Sequence, residues 1–362
     1  MAMETFDVAI VGAGPAGSTC AAFCAGAGLR TLVLEREKFP REKVCGDCLN
    51  PSCWSVLDRL NVAQRVRALS HVKLERVEFI AIGGRKVVVD LPASDEGEIA
   101  IKRSVYDYVL LRRAAELGAQ IHEETIVTSL AKNPAWKIET GKGEQFIADW
   151  LVGADGRNST VARLCNLLPR AARERIALQS HVPLPLYFGN RVVLQFLLVG
   201  YSGQAPVNGE QLNVCLVAKP RDIDALKSWA TKRFGLSPDH VWRTITPLTR
   251  SAIPPTHEHL FFIGDTARVV EPFTGEGIYY AMRSGELAAH AITKIIRGED
   301  RQSALLEFRR AHDEMYRGRL WINRLARASV LSPRLGSLFI QSARLNSWIL
   351  KLLTTKIITQ KL

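Results

Sequence analysis

Residues 6–37, "FDVAIVGAGPAGSTCAAFCAGAGLRTLVLERE", read in order as strand, glycine turn, helix, strand and acid. Residues 6–11 form a short, apolar, β-branched run of the kind that fills a buried parallel strand. The chain then breaks at Gly12, Ala13, Gly14, Pro15, Ala16 and Gly17. Gly12 makes the tight turn, Gly14 lets backbone approach a pyrophosphate, and Gly17 lets helix and strand pack closely. An Ala-rich helix follows, and its N-terminus favours phosphate charge. A second apolar run, residues 31–34, ends at Glu35. Glu35 is set to accept hydrogen bonds from an adenosine ribose, and the same carboxylate repels a 2′-phosphate. The pattern predicts a Rossmann-type α/β fold binding FAD or NAD rather than NADP.

At 362 residues and 47% hydrophobic, the chain can form one large domain or two intertwined ones. Its seven cysteines, an odd number, and the lack of a signal-peptide pattern predict a reducing, cytoplasmic setting. No apolar run approaches the ~18 residues that span a bilayer, so a soluble or peripheral protein is expected. The net charge is +12, and no acidic residue follows Glu314. Beyond it stand Arg317, Arg319, Arg324, Arg327, Arg334, Arg344, Lys351, Lys356 and Lys361.

Residues 42–48, "EKVCGDC", hold Cys45 and Cys48 at C-x-x-C spacing. Structural zinc wants four Cys or His ligands, and Cys20, Cys24, Cys53, Cys165 and Cys215 supply no second such pair. No metal is expected. A redox dithiol should open a helix and carry a lowered thiol pKa, which spacing alone leaves open.

Residues 259–296, "HLFFIGDTARVVEPFTGEGIYYAMRSGELAAHAITKII", read as a strand, a stop at Gly264 and Asp265, a loop, and a helix starting near Gly275 to Gly277. Asp265 at a strand end can bond a ribityl hydroxyl. Glycines at a helix N-terminus let backbone N–H groups face the flavin edge that becomes anionic on reduction. The cofactor expected is therefore FAD.

Together with "GADGRNSTVAR" at residues 153–163, these segments resemble the p-hydroxybenzoate-hydroxylase-type flavoprotein superfamily. Within it they most resemble the geranylgeranyl-reductase-like branch, over residues 5 to about 300. The resemblance implies an FAD domain built from residues 1–72, 101–168 and 258–300. An antiparallel β-sheet substrate domain is inserted at 73–100 and 169–257, and a helical extension occupies 301–362. "PREKVCGDCLNP" at residues 40–51 looks like that branch's R-x-K-x-C-G-G/D segment, which puts Cys45 and Gly46 beside the flavin and makes the spacing to Cys48 coincidental. Arg41 would lie near the phosphates or ribityl chain, Arg103 near the flavin, and Asp107 would cap its helix. Val127 would touch adenine through its backbone. Asp155 and Gly156 would lie near the pyrophosphate, Asp155 also serving as a helix cap. The cofactor-binding set is completed by Arg36 and by Pro272, Glu276 and Ile278, and no flavinylation motif is present, so the FAD is expected to be non-covalent.

Two stretches read as antiparallel hairpins: residues 73–91, turning at Gly83 and Gly84, and residues 191–219, turning at Asn208 and Gly209. Gln195, Phe196, Tyr201 and Cys215 are candidate pocket residues. "GYSGQAPV" stands where the branch usually carries an aromatic-rich segment, and no W-x-W motif of the halogenases is present. There is no second G-x-G-x-x-G unit, so NAD(P)H would dock transiently. The expected function is an FAD-dependent monooxygenase of an apolar phenolic or polyketide-like metabolite. Behind it come C=C reduction of an isoprenoid-type lipid, with Cys45 or Tyr201 as acid, and a non-catalytic electron carrier. The basic C-terminal helices are expected to cap the substrate domain and to offer a peripheral surface for anionic membrane. Nucleic acid is not expected, because no binding motif occurs.

Overall fold

A computed structural model of the chain describes residues 3–170 and 175–343. The strand Glu4–Val11 lies at the centre of an eight-stranded sheet, parallel to Thr31–Leu34 on one side and to Gln145–Gly153 on the other. Leu260–Phe262 and Gln120–His122 extend the parallel set outward. Val8 and Ile10 face the layer formed by the helices Pro15–Gly26, Arg103–Glu116 and Gly277–Ile296, while Ala9 and Val11 face the core on the other side. Both faces are buried, which is why this strand shows no alternation. The helices approach closely because of glycine. A Cβ on Gly17 would stand 1.8 Å from the Gly12 carbonyl oxygen, and one on Gly285 2.3 Å from that of Ala16.

The second sheet runs in the order Arg243–Ile245, Ile176–Pro183, Gln211–Ala218, Gly200–Pro206, Arg191–Leu197, Arg76–Ile80, Lys86–Asp90. Both expected hairpins form. The sheet is nevertheless mixed and not purely antiparallel, because Arg76–Ile80 joins Arg191–Leu197 in parallel. Between those strands the chain passes through the middle of the other sheet, so no tight turn dictates their direction. Thr256–His257, expected at the end of the substrate segment, instead pairs antiparallel with Leu260–Phe262 at the edge of the larger sheet. A small third sheet, Cys48–Leu49, Ile99–Ala100 and Val72–Lys73, ties the two units together.

The helices Leu320–Leu331 and Pro333–Ala343 pack on the face of the substrate sheet that carries Val77, Phe79 and Leu194, while the helix Ile223–Phe234 covers the opposite face with Val193 and Leu216. Val330 and Ile340 are buried with Val89, Phe196 and Tyr201, and Ile82 N donates to Ser337 Oγ at 2.9 Å. The described part of the basic tail is thus a packing cap. Arg344, Lys351, Lys356 and Lys361 lie outside the described residues. Among the described residues no helix is long and apolar enough to cross a membrane.

Candidate active site

A cavity of about 720 Å³ runs from the glycine turn to the inner face of the second sheet. At its nucleotide end the helix Pro15–Gly26 begins at Gly14 without a side-chain cap, so its first N–H groups are available to a ligand. Gly12 has φ +100° and a Cβ there would meet the Ala154 carbonyl at 2.6 Å. Glu35, only 6% exposed, accepts from Ala13 N at 2.7 Å and from Glu37 N at 2.9 Å. Its carboxylate is thereby oriented toward the cavity, which Arg36 and Val127 also line. Ala13, Gly17 and Gly264 do not line it. Ala13 acts through Glu35, Gly17 through close packing, and Gly264 takes φ +56° while its N–H donates to Ser284 Oγ at 2.9 Å.

Four cations converge on the middle of the cavity: Arg41, Lys43, Arg103 and Arg157. Asp107 does not cap its helix as expected, since the N-cap is Lys102 and has no side-chain bond. It is fully buried and receives two hydrogen bonds of 2.7 Å from Arg103 and one of 3.0 Å from Arg41. Two arginines out of bulk water need that counter-charge. Burial, reinforced by Arg41, Arg103 and Arg157, pulls Lys43 down to about 8, a strain that a diphosphate would relieve. Asp155 lines the cavity with Gly156 and accepts from Thr160 N at 2.6 Å and Val161 N at 3.1 Å. It is not the helix cap, because the N-cap is Ser159, whose Oγ accepts from Ala162 N at 2.9 Å, and Asp155 braces the first turn from outside it. Asp265 accepts from Arg157 at 2.8 Å. Arg157 was absent from the sequence-derived set, although its position beside Gly156 was a signal; Lys43 likewise stands in the R-x-K-x-C-G run.

At the reactive end, Pro272, Gly275, Gly277 and Ile278 border the cavity, Gly275 with φ +72°. The helix Gly277–Ile296 also begins without a side-chain cap. Glu276 is a correction. Its side chain leaves the cavity and accepts from Tyr280 Oη and Arg319 Nη1, both at 2.9 Å, because a buried carboxylate here is held by a buried guanidinium. Cys45 and Gly46 face the cavity, and the Cys45 carbonyl accepts from Asn213 Nδ2 at 2.8 Å and Cys215 Sγ at 3.2 Å. His181 Nε2 and Asp47 Oδ2, 2.7 Å apart, fasten the same loop to the substrate sheet. Cys48 sits on a two-residue strand, not at a helix start, and burial pushes its thiol well up. Both requirements of a redox dithiol are therefore missing, and the described cysteines are all free.

The roof is apolar: Val77, Phe79, Val192, Leu194, Ile245 and Leu248 line it with Phe273. Of the four expected pocket residues, Tyr201 and Cys215 line the cavity. Gln195 alternates to the opposite face of the sheet from Leu194, and Phe196 is covered by the C-terminal cap, where a Cβ on Gly336 would come within 2.6 Å of its ring. An elongated cleft with two uncapped helix N-termini, four cations at its waist and a fixed acid at one end fits FAD in extended form.

Residues 5–181 match an FAD binding domain family. The conditioned medium factor receptor 1 of Dictyostelium discoideum is 27% identical over 330 residues, 82% of this chain but only 64% of that protein. A menaquinone reductase of Mycolicibacterium smegmatis is 28% identical over 315 residues, 79% of this chain and 76% of its own. A digeranylgeranylglycerophospholipid reductase of Methanosarcina mazei is 27% identical over 340 residues, 84% and 79% of the two chains. The flavin-dependent brominase Bmp2 shares the fold, with a TM-score of 0.78 at 22% identity over 98% of this chain and 94% of that one. With the fingerprint, the Asp155–Gly156 loop and the Gly264–Ile278 turn converging on one cleft, the chain is an FAD-dependent oxidoreductase similar to the p-hydroxybenzoate-hydroxylase-type superfamily and, within it, to the geranylgeranyl-reductase-like branch.

Proposed function

We propose that this protein reduces a carbon–carbon double bond of an apolar, isoprenoid-type lipid. The observation that carries the reading is the continuity of the FAD cleft with a roof of Val77, Phe79, Val192, Leu194, Ile245 and Leu248, which suits a hydrocarbon chain and excludes water from the reacting atoms. The similarity to menaquinone and digeranylgeranylglycerophospholipid reductases supports it. Bound FAD supplies hydride, with NAD(P)H as a transient donor. The N–H groups at the start of the helix Gly277–Ile296 favour the anionic form of the reduced ring, and Arg41, Lys43, Arg103 and Arg157 hold the phosphates or the ribityl chain. Because such a substrate resides in a bilayer, peripheral contact with anionic membrane through the basic C-terminal helices belongs to the same proposal.

Hydroxylation of a phenolic or polyketide-like metabolite is the second reading, favoured by "GYSGQAPV" where the reductase branch carries an aromatic-rich segment. Anaerobic incubation of the FAD-loaded protein with dithionite and geranylgeraniol distinguishes them. A product heavier by one H₂ per double bond is expected. No saturated product, together with oxygen uptake driven by NAD(P)H and an added phenol, would reject the reductase.

A further inference from the structure

Glu98 lines the reactive end of the cavity, and nothing in the motifs of this chain pointed to it. Its backbone is held on both flanks: the Gly97 carbonyl accepts from Trp54 Nε1 at 3.0 Å, Leu74 N donates to the Glu98 carbonyl at 2.9 Å, and Ile99 pairs with Leu49 and Lys73. The direction of the side chain is thus set by a short β ladder. Its Oε1 lies 3.9 Å from where a Cβ on Gly275 would stand, beside the turn that opens the helix Gly277–Ile296.

Other carboxylates along the cavity all have partners. Glu35 has Ala13 N, Glu37 has Arg36, Glu42 has Lys102, Asp155 has Thr160 N, and Asp265 has Arg157. Among the described residues, neither a hydrogen-bond donor nor a cation meets the Glu98 carboxyl. The titratable groups that face it are the thiols of Cys48, on the paired strand, and Cys53, at the start of the helix Cys53–Arg59, and burial keeps both protonated. Glu98 touches the cavity but is remote from bulk water, and this desolvation lifts its carboxyl to about 7. Binding of cofactor and an apolar chain removes more water and acts in the same direction. Cys45 and Tyr201 lie in the same cavity, yet burial pushes the thiol up and the phenol well above its ordinary value, so both are much weaker acids.

We propose that Glu98 is the proton donor in reduction of the substrate double bond, an assignment that rests on the reductase reading above. The alkene gains hydride from reduced FAD at one carbon, and its π electron pair takes the proton of Glu98 at the other. One π bond breaks and two C–H bonds form. FAD ends oxidised, and Glu98 ends as a carboxylate that recovers its proton from water when product leaves.

The test compares the FAD-loaded protein with its Glu98→Gln and Glu98→Asp variants. In infrared pH titrations without substrate, the wild type should show a protonated carboxyl band that fades as pH rises through about 7, and Glu98→Gln should lack it. With dithionite-reduced protein and geranylgeraniol under argon, Glu98→Gln should saturate the alkene roughly 10²- to 10⁴-fold more slowly, at unchanged FAD content and unchanged reduction by dithionite. Its rate should be flat with pH, whereas the wild-type rate falls above about 7, and Glu98→Asp should recover part of the loss. Saturation by Glu98→Gln at the wild-type rate overturns the proton-donor role alone. A wild type that never saturates the alkene, although the band titrates as described, overturns the reductase reading and the role with it.

Discussion

Arg103 donates two hydrogen bonds of 2.7 Å to Asp107, one turn further along the same helix, and both side chains are buried. Arg41 adds a third bond to that carboxylate at 3.0 Å. Asp107→Ala would leave two guanidinium groups without their counter-charge, at a cost of about 3–5 kcal/mol. A fall in Tm on the order of 10 °C is expected, with loss of FAD because both arginines border the cleft. Thermal unfolding with and without added FAD checks this. Unchanged Tm and full flavin content would show that Asp107 is dispensable to both arginines.

Glu35 does two things at once: it holds the N–H groups of Ala13 and Glu37 and presents its carboxylate to the ribose end of the cleft. Glu35→Lys removes a charged acceptor worth about 1.5–3 kcal/mol per hydrogen bond, so FAD should bind at least roughly 10-fold more weakly. Titration of apoprotein with FAD, followed by flavin fluorescence, measures the change. Wild-type affinity in Glu35→Lys would mean the ribose is held elsewhere.

Local patterns made part of this site legible. Gly12, Gly14, Gly17 and Glu35 lie within one βαβ unit, where spacing alone dictates geometry, and the turn from Gly264 to Ile278 is equally local. The Arg103–Asp107 pair was also readable, since an i, i+4 spacing puts both side chains on one helix face, but a capping role was assigned to Asp107 instead. What sequence could not show depends on contacts between distant segments. Asp47 meets His181 across 134 positions, and Arg76–Ile80 meets Arg191–Leu197 in a parallel register that no turn encodes. Glu98 stands in "ASDEGEIAIK", an acidic stretch that carries no motif; the three-stranded sheet that joins the two units turns it inward.

Cys48 tests the remaining redox idea directly. Among the described residues its thiol donates to the Gly46 carbonyl alone, at 3.5 Å, and it is held protonated by burial and by Glu98. Cys48→Ser should therefore leave FAD content and turnover near wild type. Native protein should resist iodoacetamide at both Cys45 and Cys48. Rapid alkylation of either thiol, or a collapse of activity in Cys48→Ser, would restore the dithiol.

His312 predicts the acid limit of stability. It is buried between Phe308 and Tyr316, at ring distances of 5.7 and 5.3 Å, and among the described residues neither ring nitrogen has a hydrogen-bond partner. Burial lowers its pKa from 6.5 to about 4. Between those values the unfolded chain binds a proton that the folded chain refuses, so stability is full above about 6.5 and declines as pH falls toward 4. The loss approaches about 3 kcal/mol. His312→Phe, which suits the aromatic surroundings, should flatten the dependence of Tm on pH in this window. The same slope in variant and wild type would assign the acid sensitivity to another group.

The last prediction concerns the C-terminal helices. Leu320–Leu331 exposes Trp321 and Leu325 at i, i+4, and Pro333–Ala343 exposes Leu335 and Leu338 at i, i+3, with 63% and 58% of their surfaces free. Arg324 and Arg334 are exposed on the same helices. The opposite side of this region is committed to the substrate sheet through Val330, Gly336 and Ile340, so truncation before residue 344 would strip the cap. Truncation after Ala343 spares the cap and removes Arg344, Lys351, Lys356 and Lys361. At ~1 kcal/mol of attraction per basic residue near anionic lipid, that loss would reduce binding several hundred-fold, while Leu335→Ser with Leu338→Ser removes the apolar insertion. The full chain should co-sediment with phosphatidylglycerol vesicles in a salt-sensitive manner and little with phosphatidylcholine. Both the truncated and the double-serine proteins should bind less at unchanged FAD content. Equal sedimentation of the full chain with both vesicle types, or none at low ionic strength, would leave these helices as a packing cap and require another route for a lipid substrate into the cavity.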